Sequence, residues 1–412
     1  MLALKGICLL LLFSLLGGCS LNRLTRTTIV LYVETGEGGY GLKRSDNLAG
    51  NRETIANLIS AYKEIYPDTD ISPHFPEGDE ILSDVKQRTA RGLGPDLMLT
   101  RLDTAENLSI AGLTEHVSSS SLDITQINPS LYSGYEEDGT IYAVPVLLLP
   151  QVACYDATRI ASSPDSINGL ISMAAGGISI GLPIGIRDNY WTTTGRGAQE
   201  VIVNLFSPEN GGSDRSAAEP QQQSLIEWLS WLKTINLQKN ISFFRDTQDL
   251  DRLFREGDLA WIPCRGASLR EHLKAMGDGL GVAPLPGNGG VPARPINVVY
   301  VFTFGPHSSQ AQSQVAGNFV SFMLSRFVQR QMMLGNSAVM PVNGDVLVPV
   351  KSSTALRALD QSVQDGWTLT PGSPGIPQNL DREITDTIQS VILGTTSERE
   401  AAAQFIDLRE QK

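Results

Sequence analysis

Side chains able to carry chemistry by themselves are few in this sequence and widely spaced. Cysteine stands at positions 8, 19, 154 and 264, and histidine at 74, 116, 272 and 307. No pair among them has the spacing of a zinc site, and the cysteines form no regular framework of pairs. Neither a Gly-x-Ser-x-Gly elbow nor a His-Glu-x-x-His pair occurs, so two common hydrolase signatures are missing. The acidic run Glu136-Glu137-Asp138 reads as a solvated loop rather than as a general acid and base. What remains is recognition chemistry, in which guanidinium, carboxylate, hydroxyl and aromatic groups hold a solute without transforming it. The sequence implies no cofactor, no metal and no enzyme. Acidic side chains outnumber basic ones 44 to 32, for a formal net charge of −12, and a field of that sign repels nucleic acid. Hydrophobic residues make up 41% of the chain and charged ones 18%, a balance that folds rather than staying disordered. At 412 residues the chain exceeds one ordinary core and implies two or three domains.

The first residues set the address. Lys5 precedes an apolar run from Ile7 to Leu16, broken only by Ser14. As a helix this run is roughly 15 Å long, too short for a hydrocarbon layer of about 30 Å. It fits the apolar region of an export signal. Leu16-Gly17-Gly18-Cys19 follows and resembles the bacterial lipobox, whose cysteine is acylated and becomes the new N-terminus. An ordinary signal peptide with a chance cysteine is the alternative. The expectation is removal of residues 1–18, a lipid on Cys19, and a short tether over 19–27. Each buried acyl methylene contributes about 0.8 kcal/mol, so several chains hold a protein at a membrane. The expected location is thus outside the cytoplasm, on a bacterial membrane. Cys154 and Cys264 remain: they could pair in an oxidising compartment, but separate core thiols are expected, since free cysteine packs as a small hydrophobe.

Strand and helix patterns alternate along the exported chain. Thr28 to Val33 is a β-branched run that predicts a buried strand, and residues 36–51 read as a long loop. Apolar residues from Ile55 to Ile65 recur at helical spacing until Pro67. A strand over Ile71 to Phe75, a helix through Val85, and a strand over Asp96 to Thr100 follow. Such alternation predicts an α/β fold with a mainly parallel sheet. The apolar run from Ile141 to Tyr155 is interrupted by Pro145 and Pro150, which makes it a poor central strand and a plausible crossover between domains. Residues 207–223 read as a surface loop, and Leu225 to Ile235 as a helix carrying Trp228 on its apolar stripe. After a strand over Val298 to Phe304, one long helix is expected through Val328, and a last stripe runs from Ile384 to Ile392.

The order of these pieces resembles the extracellular solute-binding proteins of ABC importers, in the large family that includes sugar-binding members. The resemblance rests on Tyr62-Lys63-Glu64-Ile65-Tyr66-Pro67, on Ala90 to Leu97 with its Gly94-Pro95-Asp96 turn, and on Gly112-Leu113. It continues through Tyr142-Ala143-Val144-Pro145 with Tyr155-Asp156, Phe254 to Trp261, and Gly281-Val282-Ala283-Pro284-Leu285-Pro286. Phe319-Val320-Ser321-Phe322 with Gln331 and Pro341, then Val391 to Gly394 with Glu400-Ala401-Ala402, complete the series. Each segment alone is weak; the ordered set is specific. The resemblance implies a two-lobed periplasmic-binding-protein fold of type II with discontinuous lobes joined by hinge crossovers. Lobe one would comprise 27–147 plus 292–342, and lobe two 148–291 plus 343–412. It also implies a monomer that closes on a small solute and presents it to the transmembrane subunits of a permease.

Ligands of open α/β sheets sit at the carboxyl ends of the strands. That rule selects Glu34 and Thr35, then Thr100, Arg101 and Asp103, in lobe one. In lobe two the resemblance points to Tyr155, to Tyr190 and Trp191, and to Trp261 and Arg265; Asn297 and Tyr300 lie near the second crossover. Each has a plainer reading: core packing for the tryptophans, an ion pair for Arg265. Sugar-binding relatives often carry an aromatic where Thr100 and Arg101 stand, and others after the turn at Gly375-Ile376-Pro377. A cleft poor in aromatics and holding arginine leaves two solute classes open, a sugar or an anionic, phosphorylated compound. A lipid-anchored hydrolase, and a receptor fold kept as a sensor or scaffold, are the alternative functions.

Overall fold

Buried β-branched strands followed by amphipathic helices build two large sheets among the described residues, beside a small three-stranded one over Val117–Ser118, Glu136–Glu137 and Thr140–Ile141. The computed structural model describes residues 26–35, 46–76, 78–132, 136–206, 218–336, 339–368 and 378–410. Cys19 and the signal and tether residues up to 25 lie outside them, as does the turn at Gly375-Ile376-Pro377. The first sheet takes strands β1 (Thr27–Val33), β2 (Thr69–His74), β3 (Leu97–Arg101) and β4 (Val144–Leu149). The second takes β5 (Gln151–Asp156), β6 (Ile180–Pro183), β7 (Ile241–Phe244), β8 (Trp261–Arg265) and β9 (Leu280–Ala283). The chain then returns to the first with β10 (Ile296–Phe304), β11 (Met340–Pro341) and β12 (Trp367–Thr368). Strand order is β11-β4-β10-β3-β1-β2 in the seven-stranded first sheet, with β12 beside β10, and β7-β6-β8-β5-β9 in the five-stranded second. Each sheet with its helices forms one lobe of a two-lobed α/β fold.

Both faces of the first sheet are covered. β1 pairs in parallel with β2 and β3, as the alternation predicts. On one face Tyr62, from α1 (Asp46–Ile65), packs edge-on against Phe319 of the helix Gln310–Leu324, with ring centroids 5.2 Å apart. On the other, Tyr32 joins Ile81, Val85, Met98 and Leu108 in a second apolar cluster. Its hydroxyl donates to Asp84 at 2.7 Å.

Several expectations need correction. α1 starts inside the glycine-rich stretch read as a loop, and the helix Ala218–Ile235 starts before Leu225. The long helix after β10 is two helices, Gln310–Leu324 and Arg326–Asn336, broken at Ser325, which takes an extended backbone. The prolines at 145 and 150 do not exclude strands. β4 and β5 are separated only by Pro150, so one run of chain supplies an inner strand to each sheet. Pro150 falls between the sheets, where no ladder bond is lost, and its carbonyl accepts from Gly266 N–H at 3.0 Å. Pro145 lies beside the register shift that separates Tyr300 from Val301 on β10. That irregularity accommodates the missing donor.

Cys154 and Cys264 are not separate thiols. They form a disulfide between β5 and β8, with Cα atoms 5.8 Å apart across a sequence separation of 110 residues. Antiparallel pairing sets Cys264 opposite Val152 and Cys154 opposite Ile262, so the two side chains meet diagonally. Only the sheet topology brings them together. Both are buried, and a closed loop of that length confines the unfolded chain strongly. The double variant Cys154→Ser/Cys264→Ser should lose about 2–5 kcal/mol of unfolding free energy. Urea melts of variant and parent check this, and equal midpoints would show that the bridge adds nothing.

Candidate functional site

Four strand ends meet where the two lobes face each other. β1 runs into Glu34, β3 into Arg101 and then Asp103, β6 into the short helix Ile186–Asn189, and β8 ends on Arg265. Charged residues occupy these ends in place of the apolar ones that fill the strands. Glu34, Arg101, Asp103, Arg187, Asp188 and Arg265 are all buried nonetheless. Burial of that many charges requires mutual pairing.

The lobe-one half is built around Asp103. Arg101 grips it with two parallel bonds, Nε to Oδ1 at 2.9 Å and Nη2 to Oδ2 at 2.8 Å. This is the bidentate geometry that guanidinium and carboxylate favour. Thr104 N–H adds a bond to Oδ1 at 3.1 Å. Glu34 accepts from Arg101 N–H at 2.8 Å and from Thr104 Oγ1 at 2.9 Å. In lobe two, Arg265 donates from Nε to Asp188 at 2.8 Å and from Nη2 to the Arg187 carbonyl at 3.0 Å. Its Nη1 also donates to the Ile296 carbonyl, at the start of β10. Gln151, at the first crossover, donates to the Asp188 carbonyl at 2.8 Å.

Arg187 joins the halves. Its Nη1 donates across the cleft to Asp103 Oδ2 at 2.9 Å, and its Nε lies 3.5 Å from Asp381 on the helix Gln378–Ile392. Signs therefore alternate along the path Glu34, Arg101, Asp103, Arg187, Asp381. Burial works to raise the Asp103 carboxyl, but Arg101 and Arg187 outweigh it and hold the group well below the usual carboxylate range. For Glu34, burial is the larger influence and pushes the carboxyl up against the pull of Arg101. Burial likewise raises Asp188 against Arg265, and Asp381 against Arg187. Tyr300, opposite Arg101 in the β3–β10 pairing, is raised by burial and by the Glu34 charge.

Of the residues selected from sequence, Glu34, Arg101, Asp103, Arg265 and Tyr300 are brought to this cluster or against it. Thr35 turns its hydroxyl to the Pro76 carbonyl at 2.8 Å, and Thr100 is buried within β3. Asn297 reaches the carbonyls of Ser362 and Val363, each at 3.4 Å, and braces the second crossover. The other aromatic candidates lie elsewhere. Trp191 is fully buried with its ring 6.2 Å from Trp261, and Trp261 donates to Ser163 at 2.9 Å. Trp261 stands four residues before Arg265, about 13 Å along the strand. Tyr155 sits at the far end of β5, its ring over Gly281, where a Cβ would come within 2.2 Å. Tyr190 packs against Trp367 at 5.5 Å. Arg187, Thr104 and Asp381 were not visible as candidates. For Arg187 a signal existed, since it directly precedes the segment Asp188 to Trp191 that follows a strand.

A family model described as bacterial extracellular solute-binding protein matches residues 57–358. Among solved structures the chain is similar to the GacH receptor of Streptomyces glaucescens GLA.O, with 18% identity and a TM-score of 0.75 over 93% of this chain and 98% of that one. It is similar also to the maltose-maltodextrin binding protein of Alicyclobacillus acidocaldarius, with 17% identity and a TM-score of 0.71 over 94% of this chain and all of that one (100%). For T. maritima MalE3 the values are 16% identity and a TM-score of 0.70, over 94% and 100%. These likenesses show the fold. No curated protein matches the chain by sequence.

Replacing Asp103 by Asn strands Arg101 and Arg187 in a buried site and should cost about 3 kcal/mol. The pH dependence has a definite sign. A carboxyl depressed in the fold stabilises fully above its unfolded value, 3.8 for Asp103, and loses that contribution as pH falls below it. Glu34, Asp188 and Asp381, raised in the fold, act oppositely and stabilise as pH falls through their folded values. Urea melts from pH 7 to pH 3 should therefore show a shallower acid loss in D103N than in the parent. Parallel curves would remove Asp103 from the account.

Proposed function

The chain belongs to the bacterial extracellular solute-binding proteins, and from that premise we propose that it captures a small neutral polyhydroxylated solute, a sugar or oligosaccharide, between its lobes for delivery to an ABC permease. Its working place is outside the cytoplasm. The observation that carries the solute class is Asp103 standing between Arg101 and Arg187, with 2.8 and 2.9 Å bonds to its Oδ2. A solute entering between the lobes must offer a donor where Arg187 meets Asp103 and an acceptor where Asp103 meets Arg187. A hydroxyl does both, and a pair of neighbouring hydroxyls does so without adding charge. An anion would meet Asp103, Glu34 and Asp381; a cation would meet Arg101 and Arg187. Alternating signs thus disfavour both charged classes. Two similar structures agree with this reading: the GacH receptor was solved in complex with acarbose and an acarbose homolog, and T. maritima MalE3 with maltose.

Among the described residues the cluster holds no tryptophan for the aromatic stacking that usually adds to carbohydrate affinity, since Trp191 and Trp261 pack in the lobe-two core. Recognition rests on hydrogen bonds in a water-poor site, where low polarisability strengthens them. The protein acts as a monomer, moored by an acylated Cys19 through a tether that ends at β1. A hydrolytic reading gains nothing from the buried Ser–Asp–His group seen among the described residues. Ser268 and His272 both bond Asp251, at 2.9 and 3.0 Å, so the histidine does not face the serine as a base.

Thermal unfolding with a panel of neutral saccharides, sugar phosphates, uronates and amino acids tests the solute class. A neutral saccharide at about 100 times its Kd should add about 2.7 kcal/mol of stability, and the response should vanish in D103N. A shift produced only by phosphorylated or carboxylated compounds would overturn the assignment. For the anchor, Cys19→Ala should move the expressed protein from the membrane fraction to the soluble one and abolish incorporation of labelled palmitate. Unchanged fractionation would refute the lipid tether.

A further inference from the structure

We propose that Arg187 is an internal occupant of the solute site: its guanidinium seats on Asp103, holds the empty cleft closed, and swings onto Asp381 when a solute takes its place. The inference rests on reading this cleft as the solute site, but its test uses no solute.

The first support is the buried, ion-paired interface. Arg187, Asp103 and Arg101 have side chains only 7–8% exposed, and the Arg187–Asp103 bond of 2.9 Å links residues on opposite lobes. Polar groups buried at such a junction need hydrogen-bond partners. Here a side chain supplies them. The second support is geometry on the Asp103 side. Arg101 already takes both carboxylate oxygens, so Asp103 stays neutralised when Arg187 leaves and keeps a lone pair for an incoming hydroxyl.

The third support is a resting place for the displaced group. Asp381 Oδ1 lies 3.5 Å from Arg187 Nε, and its side chain is 34% exposed, at the edge of the buried cluster. It sits on the helix Gln378–Ile392, which packs against the short helix carrying Arg187, so both partners travel with lobe two. The base from which Arg187 swings is firm. Asp188 and Asn189 bond back to the Gly185 carbonyl at 3.0 and 2.9 Å, and Arg265 holds the Arg187 carbonyl. Long side chains with charged ends make such exchanges readily, and a buried pair near break-even against its own desolvation is displaceable. Arg187 therefore sets specificity as well as closure. A solute succeeds only if it replaces the donor that Asp103 loses, and the empty closed state lowers apparent affinity by the fraction of open molecules.

Small-angle scattering of protein stripped of carried solute by unfolding, dialysis and refolding reads the latch directly. The solute-free parent should have the smaller radius of gyration expected of a closed form, and Arg187→Gln the larger one of an open form. Arg187→Lys should remain compact, because an ammonium can still reach a carboxylate. Circular dichroism melts establish that R187Q is folded; if it is not, D103N should give the same expansion from the other lobe. A solute-free parent as expanded as R187Q would overturn the latch, as would a compact R187Q. Neither outcome would bear on the saccharide assignment, which fails separately if no neutral saccharide stabilises the protein.

Discussion

One carboxylate shared by two guanidiniums across a lobe boundary constrains much of this molecule. Asp103 cannot be buried alone, because the cost of taking a carboxylate from water far exceeds what packing returns. It is tolerable only with Arg101 beside it in sequence and Arg187 against it in space. The first partner is local and comes with the start of the helix after β3. The second is 84 positions away and depends on the whole path of the chain through the second lobe.

That path is held by features that carry no charge. β4 and β5 continue through Pro150, so the two sheets share a strand run. Gln151 ties the first crossover to the Asp188 carbonyl, and Arg265 ties Asp188 to Ile296 at the second. The Cys154–Cys264 bridge locks β5 to β8 immediately behind Arg265. The lobe-two half of the cluster is thus fixed to both crossovers. The contact of Arg187 with Asp103 also joins the two lobes, but it is not one of these crossover ties and is made by two side chains.

The strands and the crossover were legible because period and composition record burial. Thr28 to Val33 and Val298 to Phe304 fill strands as their β-branched runs require, and Ile384 to Ile392 keeps its stripe. The rule that ligands meet strand ends pointed to Glu34, Arg101 and Asp103, and the family resemblance to Arg265, all four of which the structure places in one buried cluster. The resemblance also pointed to aromatics, which the structure places in the lobe-two core. Trp191 and Trp261 satisfy a core and a cleft equally well in sequence, and only packing shows that the two rings face each other at 6.2 Å. Asp381 was hidden for another reason: it lies on an amphipathic helix whose exposed face is ordinarily charged, so nothing marks one carboxylate from its neighbours. The disulfide was hidden by distance along the chain, because pairing across 110 residues follows from strand order alone.

The exchange of aromatics for ion pairs has a consequence for what such a site can distinguish. An apolar face binds by area, and each added methylene or ring surface changes affinity gradually. A buried chain of alternating charges binds by complement, and a missing hydroxyl leaves a carboxylate or guanidinium unpaired, which costs far more than lost contact. On the proposed function, a cleft organised around Asp103 would discriminate by hydroxyl position and stereochemistry more sharply than by solute length. Placing Trp191 and Trp261 in the core suits this division, because their rings pack together within the lobe that carries Arg187 and Arg265.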